Sequence, residues 1–228
     1  MRTAAILPVK SFARAKQRLG ATVTDPLREE LARAMVADVI AALARTGEIE
    51  RTFVVTREPG IAEAALAAGA VLIADEGEEG QSAAASLGIA RAAAEGFERI
   101  LSVPGDCPAA DPAELSALLA GPRPEGPEVV IVPDRHGTGT NGLLVAPPFA
   151  IAPSFGPGSC ARHRGLAERA GVAWRIERIP SLLLDIDTGA DLAVLRERLA
   201  GLADRAPSTR AILAGPGFAE ALLTGSLA

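Results

Sequence analysis

MRTAAILPVKSFARAKQRLG (residues 1–20) joins a short apolar run to a basic loop. Ala4-Ala5-Ile6-Leu7 is wholly apolar, which suits a strand buried on both faces of a parallel sheet. Pro8 is expected to end that strand. Lys10, Arg14, Lys16 and Arg18 follow before Leu19-Gly20. A buried strand that opens into such a loop sets its cations at the carboxyl edge of a sheet, where open α/β folds bind ligands. Four like charges this close repel unless an anion lies among them, and a polyphosphate is the natural partner. Taken alone, the cluster reads more readily as a solvated, Arg-rich surface loop, and the rest of the chain shifts that balance.

Composition narrows the field. A chain of 228 residues is long enough for one sizeable α/β domain. Aromatic residues make up only 3%, with no Tyr and a single Trp, so Ala, Leu, Val and Ile must build the core. The same scarcity leaves little to stack on single-stranded nucleic acid. A net charge of −5 argues against a general nucleic-acid binder and confines any basic cluster to a small anion. Cys107 and Cys160 form neither a disulfide framework nor a Cys-x-x-Cys zinc motif, and read as small packing residues. The apolar run after Arg2 is too short for a signal peptide, and no stretch reaches membrane-spanning length. A cytoplasmic protein without membrane contact is expected.

Outward from the first strand, Asp25-Pro26 opens a helix to about Arg45. Strands are predicted over 52–56, 70–74 and 99–103, with helices over 59–67, 80–95 and 113–120 between and after them. Four βα units in succession imply a mostly parallel central sheet with right-handed crossovers and helices on both faces. Beyond them come strands over 128–132 and 142–145, a helix opened by Phe155-Gly156-Pro157-Gly158-Ser159 and reaching about Ala170, strands over 174–179 and 182–184, and a last helix over 190–199. Residues 1–199 read as one domain. Residues 200–228 read as an appendage, either a short helix or partly disordered.

Several groups are candidates for chemistry. The basic loop is no P-loop, since Gly-x-x-x-x-Gly-Lys-Ser/Thr is absent. Lys16 is the residue chosen for transition-state charge, because an ammonium can follow a migrating phosphoryl oxygen. Asp106, just past the fourth strand, shares the sheet edge with that loop and could be a metal ligand or a plain ion-pair partner. Asp185 and Asp187 follow three leucines, and in an extended strand both would face one way. Such a pair repels unless a cation or a shared proton lies between, although Asp187 or Thr188 could instead cap the last helix. Oxygen ligands with open water positions suit Mg²⁺. The turns 137–141 and 155–159 are Gly-rich, and the second opens a helix whose N–H groups, with the Ser159 hydroxyl, could receive a carboxylate or phosphate. His136 and His163 read as surface or hydrogen-bonding residues rather than bases. Gln81-Ser82, at a helix start, could reach a nucleotide.

Taken in order, Leu7-Pro8-Val9-Lys10, Lys16-Gln17-Arg18-Leu19, Pro104-Gly105-Asp106-Cys107-Pro108, Gly137-Thr138-Gly139-Thr140-Asn141, Phe155-Gly156-Pro157-Gly158-Ser159 and Leu184-Asp185-Ile186-Asp187 resemble the guanylyltransferase family of deazaflavin coenzyme F420 biosynthesis. The resemblance covers residues 1 to about 199. It implies a single-domain GT-A-like nucleotidyltransferase fold and transfer of GMP from GTP to a small phosphorylated carboxylic acid, with Mg²⁺ held by aspartates. That acid would be phosphoenolpyruvate, 2-phospho-L-lactate or 3-phospho-D-glycerate, with the first favoured. By the same resemblance Thr140, Gly156 and Ser159 would hold the acid. Lys16 and Asp106 would be catalytic, Asp106, Asp185 and Asp187 would hold the metal, and Pro8, Lys10, Lys16, Arg18, Gln81 and Ser82 would meet the nucleotide. Gln81-Ser82 stands where the family commonly has an Asn nearby. A sugar-phosphate or molybdopterin nucleotidyltransferase, and a non-catalytic nucleotide-binding module, are the alternatives. A homodimer is one option for the assembly.

Overall fold

Strand β1 (Thr3–Val9) lies at the centre of the molecule because every one of its residues is buried. The structure is a computed structural model, and it describes residues 1–12, 19, 24–122, 124–215 and 218. Arg14, Lys16, Gln17 and Arg18 therefore lie outside the described residues. The other strands are β2 (Arg51–Thr56), β3 (Val71–Ala74), β4 (Arg99–Ser102), β5 (Glu128–Pro133), β6 (Thr140–Ala146) and β7 (Ala173–Ile176). They form one sheet in the order β3-β2-β1-β4-β6-β5-β7. Only β6 runs antiparallel to its neighbours, β4 and β5. The expected α/β architecture with a mostly parallel sheet is what the chain adopts.

Helices α1 (Asp25–Ala44), α2 (Ala62–Ala67), α3 (Gln81–Ala94), α4 (Pro112–Ala120), α5 (Ser159–Ala170), α6 (Gly189–Ala200) and α7 (Pro207–Leu213) cover both faces. Side chains alternate across each strand, so Leu7, Val54, Leu101 and Leu144 meet α1, α4, α6 and α7 on one side. Ile6, Phe53, Ile100 and Leu143 meet α3 and α5 on the other. Aliphatic residues dominate both layers, as the few aromatics require. Helix α3 lies so close to the sheet that a Cβ on Gly88 would come within 2.5 Å of the Ile6 side chain.

Two local expectations are corrected. Pro8 does not end β1, which runs on to Val9. Ile6 accepts a hydrogen bond from Val103 N on the β4 side, and two-residue alternation points the Pro8 nitrogen the same way. That level lies past the end of β4 at Ser102, so the missing N–H costs no ladder bond. Residues 182–184 form no strand. A 3₁₀ turn at Pro180–Leu182 replaces it, and Leu182 and Leu184 are apolar because they are buried in the core. The Leu182 carbonyl accepts from Asn141 Nδ2 at 2.8 Å and from the Cys107 thiol at 3.6 Å instead of from a neighbouring strand.

Strand order sets the site. The chain passes from β1 outward to β2 and β3, then returns to place β4 on the opposite side of β1. Where that reversal occurs, the loops after β1 and β4 diverge and leave a crevice at their carboxyl ends. Because β6 is antiparallel, its first residues, Thr140 and Asn141, start at that same edge.

Past residue 200, α7 belongs to the core layer, with Leu213 and Phe218 buried in it. Asp38, buried in the middle of α1, accepts hydrogen bonds from Ser208 N at 3.0 Å and Thr209 N at 2.7 Å. It thus supplies from another helix the cap that Ala206 cannot give. Asp38→Ala is expected to cost about 1–3 kcal/mol, the range for stranding buried donors. In native-state hydrogen exchange the amides of 207–213 should lose protection first, and unchanged protection there would contradict the capping role.

Candidate active site at the sheet edge

The crevice between the β1 and β4 loops is a cleft of about 630 Å³, well inside the size range of small-ligand sites. Pro8, Val9, Lys10 and Phe12 enter it from β1, and Pro104, Gly105 and Asp106 from β4. Asp134, Thr138, Gly139, Thr140 and Asn141 enter from the β5–β6 connection. Gly156, Pro157 and Ser159 come from the start of α5, Asp185 and Asp187 from the loop before α6, and Gln81 from the start of α3. Of the sequence-predicted site residues, Pro8, Lys10, Gln81, Asp106, Thr140, Gly156, Ser159, Asp185 and Asp187 thus share one cavity. Ser82 does not line it: its hydroxyl accepts from Phe155 N at 2.8 Å and ties α3 to the 154–158 loop. Lys16 and Arg18 lie outside the described residues.

The acidic wall is joined by backbone. Ile186 N donates to the Asp106 carbonyl at 3.0 Å, which brings the turn after β4 against the loop before α6. Ile186 is buried in the core, so its two neighbours, Asp185 and Asp187, face the cleft without needing the strand expected there. Burial raises the Asp185 pKa, and the Asp106 charge raises it further, against a hydrogen bond from Asn141 Nδ2 at 3.2 Å. Asp187 adds a smaller push in the same direction. A buried carboxyl pushed up by a neighbouring carboxylate is a place that a cation would relieve.

Among the described residues, no three His, Cys, Asp or Glu side chains close into a ready metal cage. Mg²⁺ is commonly held by one or two carboxylates together with substrate phosphates and water. An all-oxygen donor set of mutually repelling aspartates fits this ion.

Asp187 is placed by its helix. Thr188 caps α6 in a reciprocal arrangement with Asp191, whose carboxylate accepts from Asp187 N at 3.0 Å and Thr188 N at 2.8 Å. Burial opposes ionisation of Asp191, but these bonds, the Thr188 hydroxyl and the Arg135 guanidinium outweigh it and hold the pKa below the ordinary range. Arg135 Nη2 reaches Asp191 Oδ1 at 2.5 Å. The next residue back, Asp134, accepts from Thr138 N and Gly139 N, both at 2.9 Å, and so shapes the Gly-rich turn before Thr140.

The opposite wall is built on α5. Gly158, in the left-handed region at φ 72°, turns the chain into the helix. Ser159 N is spent on Gly156 O and Cys160 N on Thr138 O. The N–H groups expected to receive an anion there are thus partly consumed by the fold, and the Ser159 hydroxyl, buried with no hydrogen-bond partner among the described residues, is the group left over. Arg162 holds the 154–158 loop through Ser154 Oγ, the carbonyls of Ser154 and Phe155, and the Pro157 carbonyl.

His163 is fully buried, one turn beyond Ser159, and only the hydrogen-bonding half of its sequence reading applies. Its Nε2 accepts from Ser154 N at 2.8 Å and its Nδ1 meets Thr140 Oγ1 at 3.0 Å. Sequence reasoning assigned no role to Asn141, Asp134 or Asp191. For His163 a signal existed, since it falls four residues after Ser159 on one helix face.

A family model described as "Guanylyl transferase CofC like" matches residues 3–198. A phosphoenolpyruvate guanylyltransferase of Conexibacter woesei is 48% identical over 213 residues, covering 93% of this chain and 96% of that protein. Another bearing the same name, from Rubrobacter xylanophilus, is 43% identical over 194 residues, covering 84% and 92%. Among solved structures, a nucleotidyl transferase from a Methanothermobacter species superposes with a TM-score of 0.66 at 18% identity, covering 88% of this chain and 98% of that one. At that identity the likeness is one of fold. Among the described residues no helix is long and apolar enough to cross a membrane.

Burial, helped by the nearby Arg162 charge, lowers the His163 pKa from 6.5 to about 4. The unfolded chain then binds a proton that the fold rejects between those values. The stabilisation is complete above about 6.5 and fades as the pH falls toward 4. In urea titrations at pH 7 and 4.5, His163→Asn should lose less stability on acidification than the wild type. An equal loss in the two proteins would contradict a buried neutral imidazole.

Proposed function

The chain belongs to the CofC-like guanylyl transferase family, and from that premise we propose that it transfers GMP from GTP to the phosphate of phosphoenolpyruvate in deazaflavin coenzyme F420 biosynthesis. The observation that carries this reading is the shared cleft. An acidic wall suited to a phosphate-bound cation and a hydroxyl-bearing wall suited to a small acid face one crevice at the reversal of strand order.

In the proposed reaction, a phosphate oxygen of the acceptor attacks the α-phosphorus of GTP. The new O–P bond forms as the bond to the β-phosphate oxygen breaks, and pyrophosphate leaves with that electron pair. The attacking phosphate is already an anion at neutral pH, so no residue needs to remove a proton. The protein's task is to align two anions that repel and to balance the charge that builds between them. Mg²⁺, held by Asp106, Asp185 and Asp187, would neutralise the triphosphate. Lys10 offers a cation at the mouth of the cleft, and Lys16, outside the described residues, is assigned transition-state charge by its place in the basic loop. Gln81 faces the nucleotide end. Thr140, Gly156 and Ser159 receive the acceptor acid.

Pyrophosphate release should require GTP, a divalent cation and phosphoenolpyruvate, and should stop with chelator and resume with excess Mg²⁺. A panel with 2-phospho-L-lactate, 3-phospho-D-glycerate, a sugar phosphate and molybdopterin identifies the acceptor. Turnover with a sugar phosphate but not with any phospho-acid would overturn the reading, and binding of GTP without turnover of any acceptor would mark a nucleotide-binding module. Asp106→Asn is expected to lower kcat about 10²–10³-fold, the scale for removing one charge-stabilising group. Circular dichroism of that variant should be unchanged, and wild-type turnover would remove Asp106 from the metal site.

A further inference from the structure

His163 takes no part in the chemistry above, yet its ring touches both halves of the acceptor wall. The Ser154 backbone N–H can only donate, so at 2.8 Å it requires a bare lone pair on His163 Nε2. The ring is neutral by virtue of its burial, so its one proton must be on Nδ1. The contact at 3.0 Å is then Nδ1–H donating to Thr140 Oγ1. A threonine hydroxyl has one proton to give, and no other hydrogen bond of Thr140 Oγ1 is found among the described residues. With one lone pair occupied by the imidazole, the hydroxyl proton turns away from His163, and Thr140 lines the cleft. The Phe155 ring packs edge-on against His163 at 5.2 Å between centroids and limits its rotation.

We infer that His163 is a positioning residue of the acceptor subsite. As the Nδ1–H tautomer it fixes Thr140 as a hydrogen-bond donor into the cleft, and it pins the Ser154–Gly158 loop to the same ring. This rests on the guanylyl-transfer reading of the cleft. A hydroxyl committed to donating recognises an anionic oxygen, carboxylate or phosphate, and has one lone pair fewer for a neutral hydroxyl or amide. The subsite therefore selects its ligand through the tautomer of a residue that never touches it.

Two substitutions separate the contacts of the ring. His163→Asn keeps a donor near the Nδ1 position and loses the acceptor for Ser154. His163→Gln keeps an acceptor near Nε2 and loses the donor to Thr140. With GTP and phosphoenolpyruvate as substrates, His163→Gln should raise the KM for phosphoenolpyruvate about tenfold, roughly one charge-assisted hydrogen bond. The KM for GTP should change by less than about twofold, since the variant leaves the nucleotide end untouched. The KM increase in His163→Asn should be clearly smaller. Thr140→Val should match His163→Gln, and the double variant should be no worse than either single one.

On the wild-type protein, ¹⁵N-histidine NMR should show a protonated Nδ1 and a bare Nε2 for the buried residue, with no titration between pH 8 and 5. An Nε2–H tautomer would overturn the proposal whatever the variants do. So would equal damage to both KM values, or strictly additive losses in the double variant, because a general packing defect produces those. A wild type inactive with every acceptor would instead overturn the functional reading, and the NMR result would still decide the tautomer.

Discussion

One backbone hydrogen bond, from Ile186 N to the Asp106 carbonyl, joins two parts of the chain eighty residues apart and so assembles the acidic wall. Asp106 is delivered by the sheet, at the end of β4. Asp185 and Asp187 are delivered by an irregular loop held by the cap of α6 and by Asn141 of β6. Burial of Ile186 drives that loop down onto the sheet edge, and the hydrogen bond sets where it stops. The carboxylates then stand close enough to raise the pKa of Asp185, a standing repulsion that the hydrophobic anchor must exceed. Perturbed titratable groups of this kind gather at functional sites.

The two walls of the cleft solve opposite electrostatic problems. On the acidic side, charge is concentrated and tuned by neighbours, and Asp191 is kept ionised by donors converging on it from Thr188, Asp187 and Arg135. On the hydroxyl side, the Arg162 guanidinium is spent on the 154–158 loop. His163 is buried and neutral, and the groups offered to the cleft are the hydroxyls of Thr140 and Ser159. An acceptor acid brings its own negative charge, so a wall of neutral donors can hold it without competing for the cation opposite. Arg135 and Asp134 are adjacent in sequence, yet one anchors the α6 cap and the other folds the turn before Thr140, which couples the spacing of the two walls.

Much of this was legible in the residues. Ala4-Ala5-Ile6-Leu7 marked the buried central strand, and the βα alternation to Ala120 gave the parallel sheet and its ligand-binding edge. Asp106 was readable because a turn after a buried strand has one place to go in such a fold. Pro8 misled, since the rule that proline stops a strand assumes a neighbour on each side, and β4 had already left. Leu182-Leu183-Leu184 misled in the same way: an apolar run reports burial, and here the burial is under α6 rather than in a ladder. Ser82 pointed to the nucleotide by its helix-start position but is used to fasten the 154–158 loop. Asn141 carries no local pattern, because its partners Leu182 and Asp185 lie far along the chain, whereas Asp134 and Asp191 bond chiefly to near neighbours and left a local signal in the turn before Thr140 and in the cap of α6.

The central claim is that Asp106, Asp185 and Asp187 form one cation site that works with the triphosphate. Binding of Mn²⁺ as a Mg²⁺ surrogate, followed by electron paramagnetic resonance with and without GTP, tests it most directly. The wild type should bind Mn²⁺ weakly alone and more tightly with GTP, and Asp185→Asn and Asp187→Asn should each weaken the GTP-dependent binding while GTP still binds. Mn²⁺ affinities in both variants equal to that of the wild type would contradict it.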